Sequence, residues 1–346
     1  MSPEDPRDDD PDVAVLGVLR DDGSADPLTD PLLPAETLLR GYREMLRLRL
    51  LDARMIALQR QGRIGLYGAA QGYEAVPIAT GLAVDERDWV FPALREQSVM
   101  LVRGFPLRAF VAQVFGNSGD VLKGRQMPGR PSGSSVHQVS RSSSAGPQLP
   151  HAVGAAWAMR ARKTSAVSIG FMAESATSQA DFHAAMNFAG VWKVPCVLVC
   201  QSEHGSIDAP AGRQTASRTI AVKARAYGLP GVRVDGDDLL AVHRVVKDAL
   251  DRARAGGGPT LIEAVSHRKD PLSRLRAHMV RLGLVSDESD AALERELLAE
   301  ISTTIDEVEH LPAPARETLF DDVYAEMPWH LRGELEQLKK RPPALT

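Results

Sequence analysis

Two carboxylates stand where a predicted strand has just ended and a ligand site could begin. Glu174 follows the apolar segment 165–171, and Glu203 follows the apolar segment 194–201. In parallel α/β sheets, ligands bind beyond the carboxyl ends of the strands, and anions collect near the amino ends of helices. The placement indicates a ligand site; the alternative is that both side chains are ordinary solvated loop carboxylates.

The elements that must position these carboxylates alternate along the chain. The predicted strands are 165–171, 194–201, 232–234 and 260–265, and the predicted helices around them are 149–162, 180–192, 219–227 and 239–254. Three glycines at 256–258 are a strong stop signal for the last helix. This alternation predicts an α/β fold with a mainly parallel sheet covered by helices on both faces.

The flanking parts of the chain are mainly helical. Apolar residues at helical spacing predict a helix from 35 to about 59, and further helices are predicted at 73–82 and 99–115. The segment 88–91 is predicted as a short strand or turn at the sheet edge. A stretch at 116–146 is dense in Gly, Ser and Pro, and so long a loop in a compact domain usually has a function.

The composition of the chain excludes some classes of function. The net charge of −4 gives no nucleic-acid footprint, and no apolar run is long enough for a membrane span. The two cysteines, Cys196 and Cys200, lie in one apolar segment, which favours a reducing cytoplasm over a disulfide scaffold. We divide the chain into a disordered or loosely attached tail (1–34), an α/β domain (35–268) and a helical segment (269–346) that packs on that domain or on a partner subunit.

Several motifs, in order and spacing, resemble one enzyme family. They are DWVFP (88–92), KGRQMP (123–128), DFHAAMNFA (181–189), YGLPGVRVDG (227–236) and FDDVYAEMP (320–328). Each is weak alone, but the set resembles the alpha subunit of branched-chain 2-oxoacid dehydrogenase, the E1 component, over about residues 38–338.

The resemblance implies a doubly wound sheet that binds thiamine diphosphate and Mg²⁺. It also implies a partner, an E1 beta-type subunit, in an alpha2beta2 heterotetramer that decarboxylates a 2-oxoacid oxidatively. The acyl group then passes to a lipoyl-bearing E2 component. The cofactors, the partners and this activity are expectations that follow from the resemblance, not from composition or spacing.

The resemblance implies a functional role for each residue of this chain that matches a position of the family's motifs. The implied Mg²⁺ ligands are Glu174, Glu203 and the backbone carbonyl of Gly205. The resemblance also implies cofactor-binding residues at the positions that match the family's motifs. They are Arg95, Ser143, Ala145, Glu174, Ser175 and Gln201. Arg95 could pair with phosphate; its alternative role is a salt bridge.

This sequence departs from the family pattern at the cofactor motif. Ala173 and Ser175 replace two glycines that would allow close backbone approach to phosphate. Glu203 replaces a neutral Asn, and a like charge ~4 Å from diphosphate costs about 4 kcal/mol at a dielectric constant of ~20. Leu94 replaces a tyrosine, so a phenol is lost beside Arg95. Pro147 stands where the family has a threonine hydroxyl.

The largest departure is a missing loop that carries the family's active-site histidine. Ser266-His-Arg-Lys269 runs directly into Asp270-Pro271, and His267 is only a weak candidate for a catalytic imidazole. Three hypotheses therefore remain open. The chain is an E1 alpha-type subunit with a degraded site, or a non-catalytic relative that acts as a structural or regulatory partner of a beta-type subunit. The third hypothesis is a redirected site that binds another anion or metal.

Overall fold

The described residues form one parallel sheet with helices on both sides. The computed structural model describes residues 14–127, 129–142, 144–203 and 211–342. Within these ranges the strand order is β1-β2-β3-β5-β4, and every pairing is parallel. The strands are β1 (Trp89–Phe91), β2 (Ser168–Ala173), β3 (Cys196–Ser202), β4 (Gly231–Asp235) and β5 (Thr260–Val265). The predicted α/β class is confirmed.

The helices fall before, between and after these strands. They are α1 (Ala35–Arg60), α2 (Ala75–Ala83), α3 (Val99–Val102), α4 (Leu107–Phe115), α5 (Gln148–Ala161), α6 (Ala180–Trp192), α7 (Ala211–Gln214), α8 (Leu239–Arg254), α9 (Pro271–Arg281), α10 (Asp287–Glu309) and α11 (Trp329–Lys340). Short 3-10 helices include Glu96–Ser98, Glu174–Ser178 and Ala221–Tyr227. None of the described helices is long and apolar enough to cross a membrane.

Two hydrophobic cores lie on opposite faces of the sheet. Phe171 packs in a core with residues of α1, α2 and α8. Met172, its neighbour on β2, packs in a second core with residues of α5 and α6. Successive side chains of a strand point to opposite faces, which is why neighbours join different cores. Because helices cover both faces of the parallel sheet, the doubly wound arrangement that the family resemblance implied is confirmed.

The predicted helix at 99–115 is wrong as a single element. The chain forms α3 and α4 instead, with a turn between them. Gly104 has a φ of +89°, a conformation that helical residues do not adopt, and Pro106 lacks the N–H that would continue the hydrogen-bond ladder. The turn directs α4 into a third core, where Phe110 packs with Met55 of α1 and Ile301 of α10.

Residues 14–34 pack onto the domain, where composition predicted a loosely attached tail. The Leu16 amide donates to the Arg233 carbonyl at 3.0 Å, so this segment adds a bridge beside β4. Val18 and Leu19 are buried, and their amides donate to the Asp238 carboxylate at 2.8 and 2.6 Å. Apolar side chains within 14–19 make this packing favourable. The Asp-rich residues 1–13 lie outside the described ranges.

The carboxyl-terminal helices differ in how closely they pack. Leu275 of α9 and Leu297 of α10 belong to the core that also holds α1. No described residue of α11 is buried, and Trp329 is 84% exposed. The segment that begins at 269 therefore packs on the α/β domain through α9 and α10, while α11 lies at the surface.

Candidate functional site

The candidate site lies at the carboxyl edge of β2 and β3. Ala173 pairs with Gln201 in the parallel register, so Glu174 and Glu203 follow strands that end at the same level. Glu174 begins a 3-10 helix that leads into α6. Its carboxylate accepts a hydrogen bond from the Ser202 hydroxyl at 3.2 Å. The structure thus brings the two predicted carboxylate positions to one edge of the sheet.

Arg95, Tyr73 and Glu203 form a compact group at this edge. The Arg95 guanidinium lies over the Tyr73 ring, 4.0 Å from its centroid. Its Nη1 donates to Glu203 Oε1 at 2.9 Å. Burial, followed by the hydrogen bond to Glu203, raises the pKa of Tyr73. Arg95 therefore forms a salt bridge within the chain, the alternative that its sequence context left open.

Glu174 is a buried carboxylate, not a solvated one. It is 6% exposed, and its backbone carbonyl accepts hydrogen bonds from the Thr177 hydroxyl at 2.8 Å and the Gln214 amide at 2.7 Å. These contacts hold the first turn after β2 in place. The interpretation of Glu174 as an ordinary solvated loop residue is therefore wrong.

Gln201, a predicted cofactor-binding residue, is engaged with Glu96. Its side-chain amide donates to the Glu96 carboxylate, whose other oxygen accepts from the Ala93 amide at 2.9 Å. Burial raises the pKa of Glu96. Gln201 Oε1 is buried and has no hydrogen-bond partner within the described ranges. This acceptor faces an interior in which a donor or cation would satisfy it.

The other predicted site residues are less closely grouped. Ser175 is half-buried in the 3-10 helix. Ala145 is exposed, in a loop whose Gly146 lies against Gln179 and Asp181 at the start of α6. Ser143 and Gly205 lie outside the described residues, so their predicted roles remain predictions.

His267 is exposed just beyond β5, where the resemblance implied a loop that this sequence lacks. Its backbone amide donates to Asp237 at 2.8 Å. Burial raises the pKa of Asp237. The end of β5 adjoins the site, because the Ser266 amide donates to the Ser202 carbonyl at 2.8 Å. The position of His267 is therefore near the candidate edge, and its catalytic role stays a prediction.

Sequence reasoning missed Tyr73 and Glu96 as site residues. Tyr73, in the loop before α2, places a phenol beside Arg95. Position 94, where the resemblance implied a tyrosine, is occupied by Leu94. Glu96 follows Arg95 directly and turns inward to Gln201. Neither contact has a local sequence signal, because each depends on how the loop after β1 meets a distant segment.

Two cavities differ in their relation to the site. One of about 350 Å³ borders Tyr73 and is rich in cationic side chains; its lining residues include Arg49, Arg268 and Lys269. A larger cavity, of about 740 Å³, lies against β1 and α5, with Trp89 and Met159 in its lining. Neither cavity is lined by Glu174 or Glu203, but the smaller one adjoins the candidate site through Tyr73. The size of the larger cavity therefore does not make it the better candidate.

The arrangement fits a diphosphate group poorly. Glu203 neutralises Arg95, and an anion placed at that guanidinium would meet the Glu203 carboxylate. The described residues contain no group of three or more His, Cys, Asp or Glu side chains that could hold a metal ion. Within these ranges, Glu174 and Glu203 are the carboxylates of the implied Mg²⁺ set, and the third member, Gly205, lies outside them.

Comparison with known proteins shows the class to which this fold and site belong. A family model described as "Dehydrogenase E1 component" matches residues 42–269. The chain therefore belongs to the dehydrogenase E1 component family.

Individual relatives show which type of member it is. It is 34% identical over 339 residues to the mitochondrial 2-oxoisovalerate dehydrogenase subunit alpha of Homo sapiens, with 91% of this chain and 76% of that protein covered. The corresponding subunit of Pseudomonas aeruginosa is 34% identical, with 94% and 87% covered, and that of Bacillus subtilis is 36% identical, with 82% and 94% covered. The chain is an alpha-type member of the family, as its motifs predicted.

Proposed function

We propose that this chain is the alpha-type subunit of a branched-chain 2-oxoacid dehydrogenase E1 component, with a degraded cofactor site. The observation that carries the proposal is the similarity to 2-oxoisovalerate dehydrogenase alpha subunits over most of the chain. In this role it pairs with a beta-type subunit as alpha2beta2 in the cytoplasm. The pair decarboxylates a 2-oxoacid oxidatively and passes the acyl group to a lipoyl-bearing partner.

The proposal gives definite roles to residues at the carboxyl edge. Glu174, Glu203 and the Gly205 carbonyl are the proposed ligands of Mg²⁺, which prefers such oxygen atoms. The proposed contacts with thiamine diphosphate are Arg95, Ser143, Ala145, Glu174, Ser175 and Gln201. Of these, Arg95 is held by Glu203 and Gln201 by Glu96. Both contacts must change before either side chain can reach a ligand.

A second candidate function is a non-catalytic partner of a beta-type subunit. Two observations favour it. The Arg95–Glu203 ion pair satisfies the cation that would otherwise bind phosphate. Beyond β5, Asp270 caps α9 by accepting from the Ser273 amide at 3.3 Å. This short connection supports the proposal that the histidine-bearing loop implied by the resemblance is lacking.

Calorimetry of the purified alpha–beta pair with thiamine diphosphate and MgCl₂ distinguishes the two. Micromolar or tighter binding, together with decarboxylation of 2-oxoisovalerate, supports the catalytic proposal and eliminates the non-catalytic one. Absent binding at millimolar cofactor eliminates the catalytic proposal. Glu174→Gln is the matched variant for the first outcome, since loss of a proposed Mg²⁺ ligand should weaken that binding. Glu334→Gln, an exposed glutamate of α11, is the control for the same chemical change.

A further inference from the structure

We propose that a binding site for an aromatic phosphate monoester lies at the amino end of the sheet, away from the carboxyl edge of β2 and β3. The larger cavity described above, against β1 and α5, takes the aromatic body of the ligand. A second cavity, of about 320 Å³, shares residues 163–166 with it and takes the phosphate group. This inference is independent of the proposed function, because neither cavity includes a residue that was given a role there.

The larger cavity offers aromatic and aliphatic surface to a ligand. Its volume of about 740 Å³ lies within the range of roughly 300–1,000 Å³ that is usual for small-molecule sites. Trp89 and Phe91 are two residues apart on β1, so their side chains lie on the same face of the sheet. Val139, together with Ala155 and Met159 of α5, completes the apolar lining. A flat apolar body is therefore removed from water when it enters this cavity.

The fold holds the aromatic wall of this cavity in place. The Trp89 ring stacks on the His137 ring, with 4.8 Å between the centroids and 23° between the planes. His137 Nδ1 lies 2.8 Å from the Glu86 carbonyl oxygen, and the His137 carbonyl accepts from the Val90 amide at 2.9 Å. Because both rings are already held, little conformational freedom is lost when a planar ligand packs against them.

The second cavity is lined by cations. Its charged lining residues are Arg160, Lys163, Lys193 and Arg254, and within the described ranges no Asp or Glu lines either cavity. Arg254 is paired with Asp88. The other three cations form no ion pair with any residue that the structure describes. The Arg160 guanidinium donates to the Lys193 carbonyl at 3.5 Å, which brings the end of α5 next to the segment that precedes β3. Cations gathered in this way favour a phosphate monoester, whose charge at neutral pH is close to −2.

Lys163 joins the two cavities and is fixed by the end of α5. It has a φ of +55°, and its amide donates to the Arg160 carbonyl at 3.0 Å. The Thr164 amide donates to the Met159 carbonyl at 3.0 Å. These two bonds are the pattern of a Schellman cap, which satisfies carbonyl groups of the last helical turn. The helix end therefore presents cationic side chains to a ligand, and these satisfied carbonyl groups do not compete with its phosphate oxygens.

The test measures binding of 2-naphthyl phosphate to the full-length chain by calorimetry. 2-Naphthol supplies the aromatic body alone, and inorganic phosphate supplies the anion alone. The wild type is expected to bind 2-naphthyl phosphate at least about 10-fold more tightly than it binds either part, because the parts each use one cavity.

Two lysine variants test the cationic cavity. The double variant Lys163→Gln/Lys193→Gln should weaken binding of 2-naphthyl phosphate by about 10-fold or more, since it removes two charge-assisted donors. Its binding of 2-naphthol should not change. Lys340→Gln, an exposed lysine of α11, is the matched control and should bind 2-naphthyl phosphate as the wild type does.

Two alanine variants test the apolar cavity. Ala155→Phe fills part of the cavity and should weaken binding of both 2-naphthyl phosphate and 2-naphthol. Ala161→Phe is the matched control on α5, because Ala161 is exposed and lines another cavity, with Trp157 and Trp192. It should leave the binding of both probes unchanged.

Any of three results overturns the proposal. One is the absence of 2-naphthyl phosphate binding at millimolar concentration. The second is an affinity of Lys163→Gln/Lys193→Gln that stays within about twofold of the wild type. The third is binding that Ala161→Phe removes and Ala155→Phe does not, which would place the probe beside Trp157. If Ala155→Phe does not fold, the exposed lysine variants and the three probes decide, and equal affinity for 2-naphthol and 2-naphthyl phosphate refutes the site.

Discussion

Two arginine–carboxylate pairs lie at opposite ends of the same sheet. At the amino end, Arg254 donates to both oxygens of Asp88 at 3.1 and 3.0 Å. The amides of Val167 and Asp85 complete the Asp88 carboxylate, each at 2.8 Å, and Asp88 is fully buried. At the carboxyl end, Arg95 makes one contact with Glu203, and both side chains are partly exposed.

The difference in burial and in the number of hydrogen bonds makes Arg254–Asp88 a structural ion pair and Arg95–Glu203 a more accessible one. Asp88 is fully buried and accepts four hydrogen bonds, two from Arg254 and one from each of two backbone amides, so the pair is part of the fold. Glu203 accepts from one nitrogen of Arg95, and both side chains are partly exposed, so solvent reaches this pair. The arginine–carboxylate pair is therefore buried at the amino end of the sheet. At the carboxyl end, where ligands of such folds bind, the corresponding pair is accessible to solvent.

Asp88→Asn should produce the largest effect. An asparagine keeps one acceptor but points an N–H₂ group at donors, and Arg254 loses its counter-charge. Removal of one partner from a buried pair costs about 3–5 kcal/mol in the free energy of unfolding. Urea unfolding at neutral pH measures this loss. In the control Asp248→Asn, the carboxylate is 74% exposed and a change below about 1 kcal/mol is expected. Similar losses in both variants would contradict the distinction.

Asp52 extends the comparison to a buried carboxylate without a cation. It accepts from the Tyr67 hydroxyl and the Ala70 amide, each at 2.6 Å, yet burial raises its pKa from 3.8 to about 7. Between these values the folded protein retains a proton that the unfolded chain has lost. The free energy of unfolding should therefore fall as pH rises from about 4 to 7, by on the order of 3–4 kcal/mol.

Urea unfolding at a series of pH values checks the Asp52 effect. The difference between the wild type and Asp52→Asn isolates it from the other titrating groups. That difference should change through the window from about 4 to 7 and level off above it. Parallel curves for the two proteins would show that Asp52 does not carry the dependence.

Glu203→Gln should have a much smaller effect on stability than Asp88→Asn. Because the Arg95–Glu203 pair is partly exposed, its loss should change the free energy of unfolding by less than about 1 kcal/mol. Urea unfolding of the purified wild type and variant measures this. A loss as large as that of Asp88→Asn would make Glu203 a structural residue and remove the contrast between the two ends of the sheet.

Glu203→Asn should have no effect on decarboxylation if the chain is non-catalytic. The substitution introduces the neutral residue that the resemblance implied, but on the same resemblance the histidine-bearing loop between β5 and α9 would still be lacking. Product formation from 2-oxoisovalerate by the alpha–beta pair measures the outcome. Measurable activity in this single variant, from an inactive wild type, would show that Glu203 alone had blocked the reaction.

Much of the element order could be predicted from sequence. Helices α6 and α8 and strand β5 have the predicted bounds, because apolar periodicity and the stop signal at 256–258 act locally. The single helix predicted at 99–115 was wrong, since periodicity gave Gly104 and Pro106 too little weight. Packing of residues 14–34 was missed, because the acidic composition of the first residues dominated the window.

The amino-acid sequence by itself determined that two carboxylates follow adjacent strands, because strand and helix signals are local and parallel strands end at one edge. Only the tertiary structure decided what those carboxylates contact. Arg95 and Glu203 are 108 positions apart, and Gln201 and Glu96 are 105 apart. Side-chain pairing over such separations depends on the relative placement of whole elements, and no local pattern of residues encodes that distance.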